Sequence, residues 1–599
     1  MQTTNFAWDL SDLFTGVDDP KIEESLASLA ALTAQFAERW RGKINTDQLT
    51  AESLLAAVTE YETLVSAMVK PICYASLLFS SDTSNPKHGA LLQHIQERQS
   101  EMSVQLIFFE LEMLAVKPEV LDPILADERL QDYRHFIHAS RLFRDFRLSE
   151  PEEKIIEEKA NTGIRAWERL FEESVSAIQF KVVLDGQERT MTEPEVLALL
   201  REPDRETRAA AATSLTNGLT ENSRLLTYIF NTLVLEKAIN DRLRGYAYPE
   251  QARHISNELD KETVDTVVEV CKENYPLVAR YYRTKREIMG LDKLTHYDRY
   301  APLFDTKEEY SFDQARETVL DSFGRFSPEM ADAAEQFFTN RWIDAQPRSG
   351  KRGGAFCMYV SPDHHPYVLM SYLNRKDDIM TLGHELGHGV HAYLSRGQSY
   401  VNFSTALPVA ELASTFGEML VFDKLVSTSS LDDKMALYAE KIEGVFATVF
   451  RQAAMFSFEQ ELHKARRELG ELTSEEINDI WQESIQSMFA DSVELGDDHK
   501  CWWMYVSHFV GSPFYVYAYS FGELLVMALY SMYRREEGTF VPKYVEMLKT
   551  GGSCAPEELL SRVGVSIRDP EFWRGGMKVV EQLVADFEEI HKQWKAQSR

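Results

Sequence analysis

The sequence predicts a mainly α-helical fold with one small β-sheet beside a functional helix. Apolar residues recur at three- and four-residue spacing with charges between them over long stretches. Strand-like runs are confined to two short regions. No fixed-period repeat, low-complexity tract or Pro/Gly/Ser-rich linker divides the chain.

Helical periodicity covers Glu23–Glu38, Ala51–Lys70, Gly89–Leu114, Lys261–Met289 and Val579–Trp594. The first strand region, Gln179–Thr192, carries Asp185-Gly186 between two alternating runs, the signature of a tight hairpin. The second pairs Ala355–Val360 with Tyr367–Tyr372 around the turn Ser361–Pro366, after the glycines Gly350, Gly353 and Gly354. Asp377 or Asp378 is expected to cap a helix starting near Ile379. The apolar stretch Ser512–Tyr533 contains Glu523 and several Tyr and Ser, and reads as a buried helix rather than a membrane span.

Across 599 residues, 44% hydrophobic and 27% charged content is ordinary for a globular chain and excludes a disordered or collagen-like one. Asp plus Glu number 95 against 64 Lys plus Arg, a net charge of −31. That balance argues against a nucleic-acid partner, which needs a basic face, and against docking on an anionic membrane. Cys73, Cys271, Cys357, Cys501 and Cys554 are scattered without a CxxC pair, and the first twelve residues lack a secretory pattern. A cytoplasmic location is expected. The sequence carries no signal that separates a monomer from a homo-oligomer.

The chemistry concentrates at His384-Glu385-Leu386-Gly387-His388, an H-E-x-x-H motif. On a helix the two imidazoles lie one turn apart on one face and can share a zinc ion, with Glu385 placed to take a proton from zinc-bound water. A third ligand is required. The metzincin position is occupied by Leu394, and His391 lies seven residues past His384, about 10.5 Å along the axis, too far to share the ion. Glu411, set among Val409, Ala410, Leu412, Ala413 and Phe416, is the favoured third ligand, with Glu418 two turns on as an outer acceptor. Further on, His508 precedes Tyr515, Tyr517 and Tyr519. Tyr515 and Tyr519 are expected on one helix face, where phenols could donate to an oxyanion. Three histidine placements are expected to be uninvolved in metal binding. His135 and His138 lack a partner, and His499 follows two aspartates in what reads as a solvated turn. His364 and His365, adjacent in an extended segment, should point apart and be unable to chelate together, although His365 could face bound peptide.

HELGHGVHAYLSRGQ followed by AELASTFGEML resembles the thimet-type oligopeptidases, specifically the oligoendopeptidase F branch. WDLSDLF at 8–14, REPDRETR at 201–208, GKRGGAFC at 350–357 and HPYVLMSY at 365–372 extend the resemblance over nearly the whole chain. It implies a gluzincin-type helical ellipsoid with a deep substrate channel, and a zinc endopeptidase that cleaves short peptides. By the same resemblance one Zn2+ is held by His384, His388 and Glu411, Glu385 is the general base, and His508 with the tyrosines contacts the reacting carbonyl, Tyr519 foremost. The implied parts are a helical region over 1–110, an oligopeptidase F-type helical domain with the hairpin over 111–195, and the catalytic domain over 196–599. Substrate is expected to pair with the strand near Tyr367–Tyr372. The alternatives are a zinc exopeptidase and a non-catalytic peptide-binding protein.

Overall fold

The computed structural model describes residues 6–304 and 309–597. It is built from helices, with one two-stranded and one three-stranded sheet among the described residues. The chain divides into two compact units, each assembled from three separate stretches: residues 1–144, 308–428 and 532–566 in the first, and 145–307, 429–531 and 567–599 in the second.

In the first unit, helices Pro20–Trp40, Ala51–Ser81 and Pro86–Ala115 pack around Phe36, Leu54, Val58, Leu77, Ile95 and Phe109, all buried. Each has an Asp, Thr or Asn cap: Asp19, Thr50 and Asn85 side chains accept backbone N–H groups of the first turn. Ala51–Ser81 runs eleven residues past the expected end, through Pro71, and is long and apolar enough to cross a membrane. Its apolar face, Leu54, Leu64 and Leu77 included, lies in this core.

The three-stranded sheet orders Ile343–Asp344, Tyr367–Leu369 and Phe356–Met358. The last two are antiparallel, with Cys357 opposite Val368. Tyr367–Leu369 is therefore the central strand and is paired on both sides. This corrects the expectation that a peptide would add to it, since its backbone groups are already used. Ile343–Asp344 is one edge and Phe356–Met358 the other. The glycine-bearing turn before it is pinned by Asp344, whose carboxylate accepts from Arg348 (2.6 and 2.7 Å) and from buried Lys351 (2.7 Å).

Two helices follow, Lys376–Leu394 and Leu412–Thr428. The first starts three residues ahead of the expected point. Asp378 sits inside its first turn and accepts from the Leu373 and Arg375 backbone N–H groups at 2.7 and 2.9 Å. Ile379, Leu382, Leu386 and Val390 bury one face of this helix, and His384 and His388 lie off that stripe. The two helices pack unusually closely, because glycines face the contact. A Cβ on Gly387 would lie 2.3 Å from the Ala413 carbonyl oxygen, and one on Gly417 would lie 3.2 Å from that of Gly383.

In the second unit the hairpin is formed by Phe180–Leu184 and Gln187–Met191, with Asp185 and Gly186 both at positive φ (53° and 75°), as a primed turn requires. The predicted helix Lys261–Met289 is two helices, Lys261–Glu273 and Tyr275–Met289, broken at Asn274 ahead of Pro276. In the REPDRETR segment, Arg205 and Arg208 both pair with buried Asp298 (2.8 and 3.2 Å). His499, expected in a solvated turn, is buried against Trp481 and Trp502.

Candidate active site

The first unit brings His384, His388 and Glu411 together. Glu411 lies one residue before Leu412–Thr428, where a carboxylate is favoured by the helix dipole. Its Oε2 is 3.4 Å from His384 Nε2 and 3.3 Å from His388 Nε2, and accepts from Ser414 Oγ at 2.5 Å. The rings stand nearly perpendicular, 5.0 Å between centroids. Glu418 Oε2 reaches the far nitrogen of His384, Nδ1, at 3.3 Å, the place of an outer acceptor that orients a ring.

These donors fit a zinc-type cation. Ligand atoms about 2.0–2.1 Å from a tetrahedral ion sit about 3.4 Å apart, and the carboxylate oxygen keeps that spacing to both rings. Charge points the same way, since three carboxyl groups surround two imidazoles. Burial opposes charge on the His384 ring, yet the Glu418 contact and the carboxylates of Glu411, Glu418 and Glu385 raise its pKa to about 9. Burial likewise works against the Glu411 carboxylate, but His388, His384 and Ser414 hold its pKa at about 2. Without a cation the rings serve as counter-ions, a task that a divalent metal would take over.

Glu385 sits differently. Burial pushes its pKa up, and His384 and His388 only partly offset this. Its Oε2 is buried without a hydrogen-bond partner, so one carboxyl oxygen is available to a proton-bearing ligand. His391 is buried with both ring nitrogens unpartnered, its pKa lowered to about 4 by burial and by His388, and it lies outside the ligand group. Cys357 on the edge strand is a free thiol raised by burial and by the Glu385 charge, which places that strand alongside Glu385.

In the second unit, His508 Nε2 is 3.2 Å from the Tyr519 hydroxyl. Tyr515 stacks on His508 at 6.0 Å and meets Tyr519 edge-on at 5.0 Å. Tyr515 is not on a shared helix face as expected. Pro513 delays the helix to Tyr517, and Phe514 just before Tyr515 takes a left-handed φ of 60°. That turn is tied down by Glu459, which accepts the Phe514 N–H at 2.7 Å. Tyr517 points into the core, where its hydroxyl accepts from Asn257 at 2.8 Å.

Sequence reasoning also missed a second histidine cluster. Residues 361–366 turn rather than extend, so His364 and His365 stack with 14° between rings instead of pointing apart, and both approach Asp12. Asp12 lies in WDLSDLF, a segment that the sequence marks only by resemblance.

A helical chain with an H-E-x-x-H helix and a carboxylate on the next is the arrangement of a metallopeptidase, and comparison with known proteins specifies the family. The sequence model of Peptidase family M3 matches residues 198–579, and that of Oligopeptidase F matches 112–180. The chain belongs to peptidase family M3 and is a metalloendopeptidase, as the resemblance implied. Oligopeptidase PepF of Bacillus subtilis is 26% identical over 97% of this chain and 87% of that protein. An oligoendopeptidase F homolog of Lactococcus lactis subsp. lactis is 25% identical over 98% of both chains. The crystal structure of oligoendopeptidase-F from Enterococcus faecium superposes with a TM-score of 0.72 at 22% identity, covering 96% of this chain and 99% of that one.

Proposed function

We propose that this metalloendopeptidase is a zinc-dependent oligoendopeptidase of the cytoplasm that hydrolyses internal bonds of short peptides. The observation that carries the reading is the donor triad His384, His388 and Glu411 beside a buried, half-unpartnered Glu385. When bound, zinc would supply Lewis-acid polarisation of the scissile carbonyl and acidify a water. Glu385 takes the proton from the attacking water and passes it to the leaving amine, a role suited to a carboxyl whose pKa is raised by burial. Glu418 and Ser414 orient His384 and Glu411. The edge strand Phe356–Met358 offers open backbone groups to an extended peptide. His508 and Tyr519, with Tyr515, are assigned as donors to the oxyanion. Their support is the family resemblance and the hydrogen bond that joins the first two. The sequence parts 1–110, 111–195 and 196–599 are proposed likewise; they divide the sequence and not the interleaved spatial units.

The test is hydrolysis of internally quenched peptides blocked at both ends, with and without chelator, by wild type and Glu385→Gln. Wild type should cut them and lose activity to the chelator, whereas Glu385→Gln should retain zinc and lose nearly all turnover. An exopeptidase would leave blocked peptides intact, and a binding protein would cut none.

A further inference from the structure

The first unit contains a second group of metal-ligand donors, remote in sequence from the first: Asp12, His364 and His365, whose candidate ligand atoms lie within 4.8 Å of one another. Asp12 Oδ2 is 2.5 Å from His365 Nε2 and 3.7 Å from His364 Nε2. We propose that these three residues form a second divalent-cation site of the zinc class, which fastens the N-terminal segment to the turn ahead of the central strand.

Three features support it. The first is proton placement. His365 Nδ1 lies 3.1 Å from the Pro366 carbonyl oxygen, which can only accept, so Nδ1 carries the ring hydrogen. The Nε2 of a neutral ring then presents a lone pair to a carboxylate 2.5 Å away, an arrangement that requires a positive charge between them. A proton can supply that charge, and so can a metal ion. The second feature is His364, which favours the ion. Its Nε2 is buried without a hydrogen-bond partner and stands 3.7 Å from the same carboxylate oxygen. That is too long for a hydrogen bond and close to the roughly 3.4 Å between two ligands of one tetrahedral zinc.

The third feature is the outer support. Tyr367 donates its hydroxyl to Asp12 Oδ1 at 2.5 Å, and His365 is fixed by parallel stacking on Trp342 at 3.9 Å. Side-chain exposure of 15% and 11% for the histidines against 43% for Asp12 leaves the fourth position open to solvent on the aspartate side. Two imidazoles and one carboxylate suit zinc, cobalt or nickel rather than magnesium or calcium. Loading requires the 2.5 Å contact to open by about 0.9 Å as the ion replaces the proton.

The experiment is zinc stoichiometry on chelator-stripped full-length protein, titrated with Zn2+ alone and read by elemental analysis and by thermal unfolding. Wild type should take up two equivalents, and His384→Ala/His388→Ala should retain one and still be stabilised by zinc. Adding His364→Ala to that double variant should abolish the remaining equivalent and the shift. His364→Gln, which nearly keeps the side-chain volume, should do the same if the alanine variant fails to fold. If His384→Ala/His388→Ala binds no zinc, the second site is refuted while the main one stands. If wild type and that double variant each bind one equivalent, lost with His364, then the main site fails and this one stands.

Discussion

Replacing Gly387 with alanine tests whether the close approach of two helices sets the metal triad. A Cβ there would lie 2.3 Å from the Ala413 carbonyl oxygen, 2.5 Å from Ser414 Cα and 2.8 Å from the Ala413 carbonyl carbon. All three are backbone atoms, so no rotamer change relieves the clash. Restoring ordinary contact moves the helices apart by about 1 Å. His384 and His388 ride on one helix and Glu411 on the start of the other, so their separations of 3.4 and 3.3 Å would open together. Metal–ligand distances tolerate about 0.2 Å, so a 1 Å opening leaves at most two ligands in reach. Alanine gains up to about 1 kcal/mol in helix propensity, whereas overpacking costs about 1–3 kcal/mol. The expected outcome is a modest net destabilisation, about 1 kcal/mol, with zinc affinity down by at least about 10–100-fold. Chelator competition and urea unfolding of the zinc-free protein measure the two quantities separately. A Gly387→Ala protein that holds zinc as tightly as wild type would refute the claim that helix spacing sets the site.

Other perturbations address the second unit. Tyr519→Phe removes the hydroxyl that meets His508 at 3.2 Å and should lower kcat with zinc content unchanged; an unaltered kcat transfers the role to Tyr515. Glu459 is raised by burial from 4.5 to about 8, so the folded protein keeps a proton that the unfolded chain releases between those values. Stability should therefore fall as pH rises through that window, by up to about 1.4 kcal/mol per pH unit. Glu459→Gln, which can still accept the Phe514 N–H, should flatten that slope in urea titrations, and an unchanged slope would count against the assignment. Asp298→Ala leaves Arg208, 1% exposed, without its carboxylate and should cost about 3–5 kcal/mol in urea unfolding; a loss under 1 kcal/mol would show that Arg208 finds another partner.

Much of this architecture is legible in the sequence because it is local. Periodicity locates the helices, Asp185-Gly186 requires its turn, and H-E-x-x-H fixes two imidazoles on one face whatever surrounds them. Glu411 is legible for a related reason: a carboxylate among apolar neighbours needs a partner, and the motif histidines with their ion would supply one. Where single residues redirect the backbone, periodicity misleads. Asn274 and Pro276 split one apolar pattern into two helices, and Pro513 with the left-handed Phe514 removes Tyr515 from the face it seemed to share with Tyr519. The hydrophobic pattern carries through both breaks, since side chains can still reach the core.

What stays hidden depends on partners distant in sequence. Nothing near His499 announces Trp481, and nothing near residues 364–365 announces Asp12, some 350 positions earlier. The failure at His364 and His365 is instructive, because alternation of side chains holds only while the chain is extended. A six-residue turn aligns the rings, and the cluster becomes visible only once the N-terminal segment is laid against it. The same logic governs the edge strand. Tyr367–Leu369 looks like the strand that receives a peptide, but it is buried and already paired on both sides. The less buried Phe356–Met358, at the edge of the sheet, has backbone groups to offer. A strand's capacity to recruit a peptide follows from its place in the sheet order, which its own residue pattern does not carry.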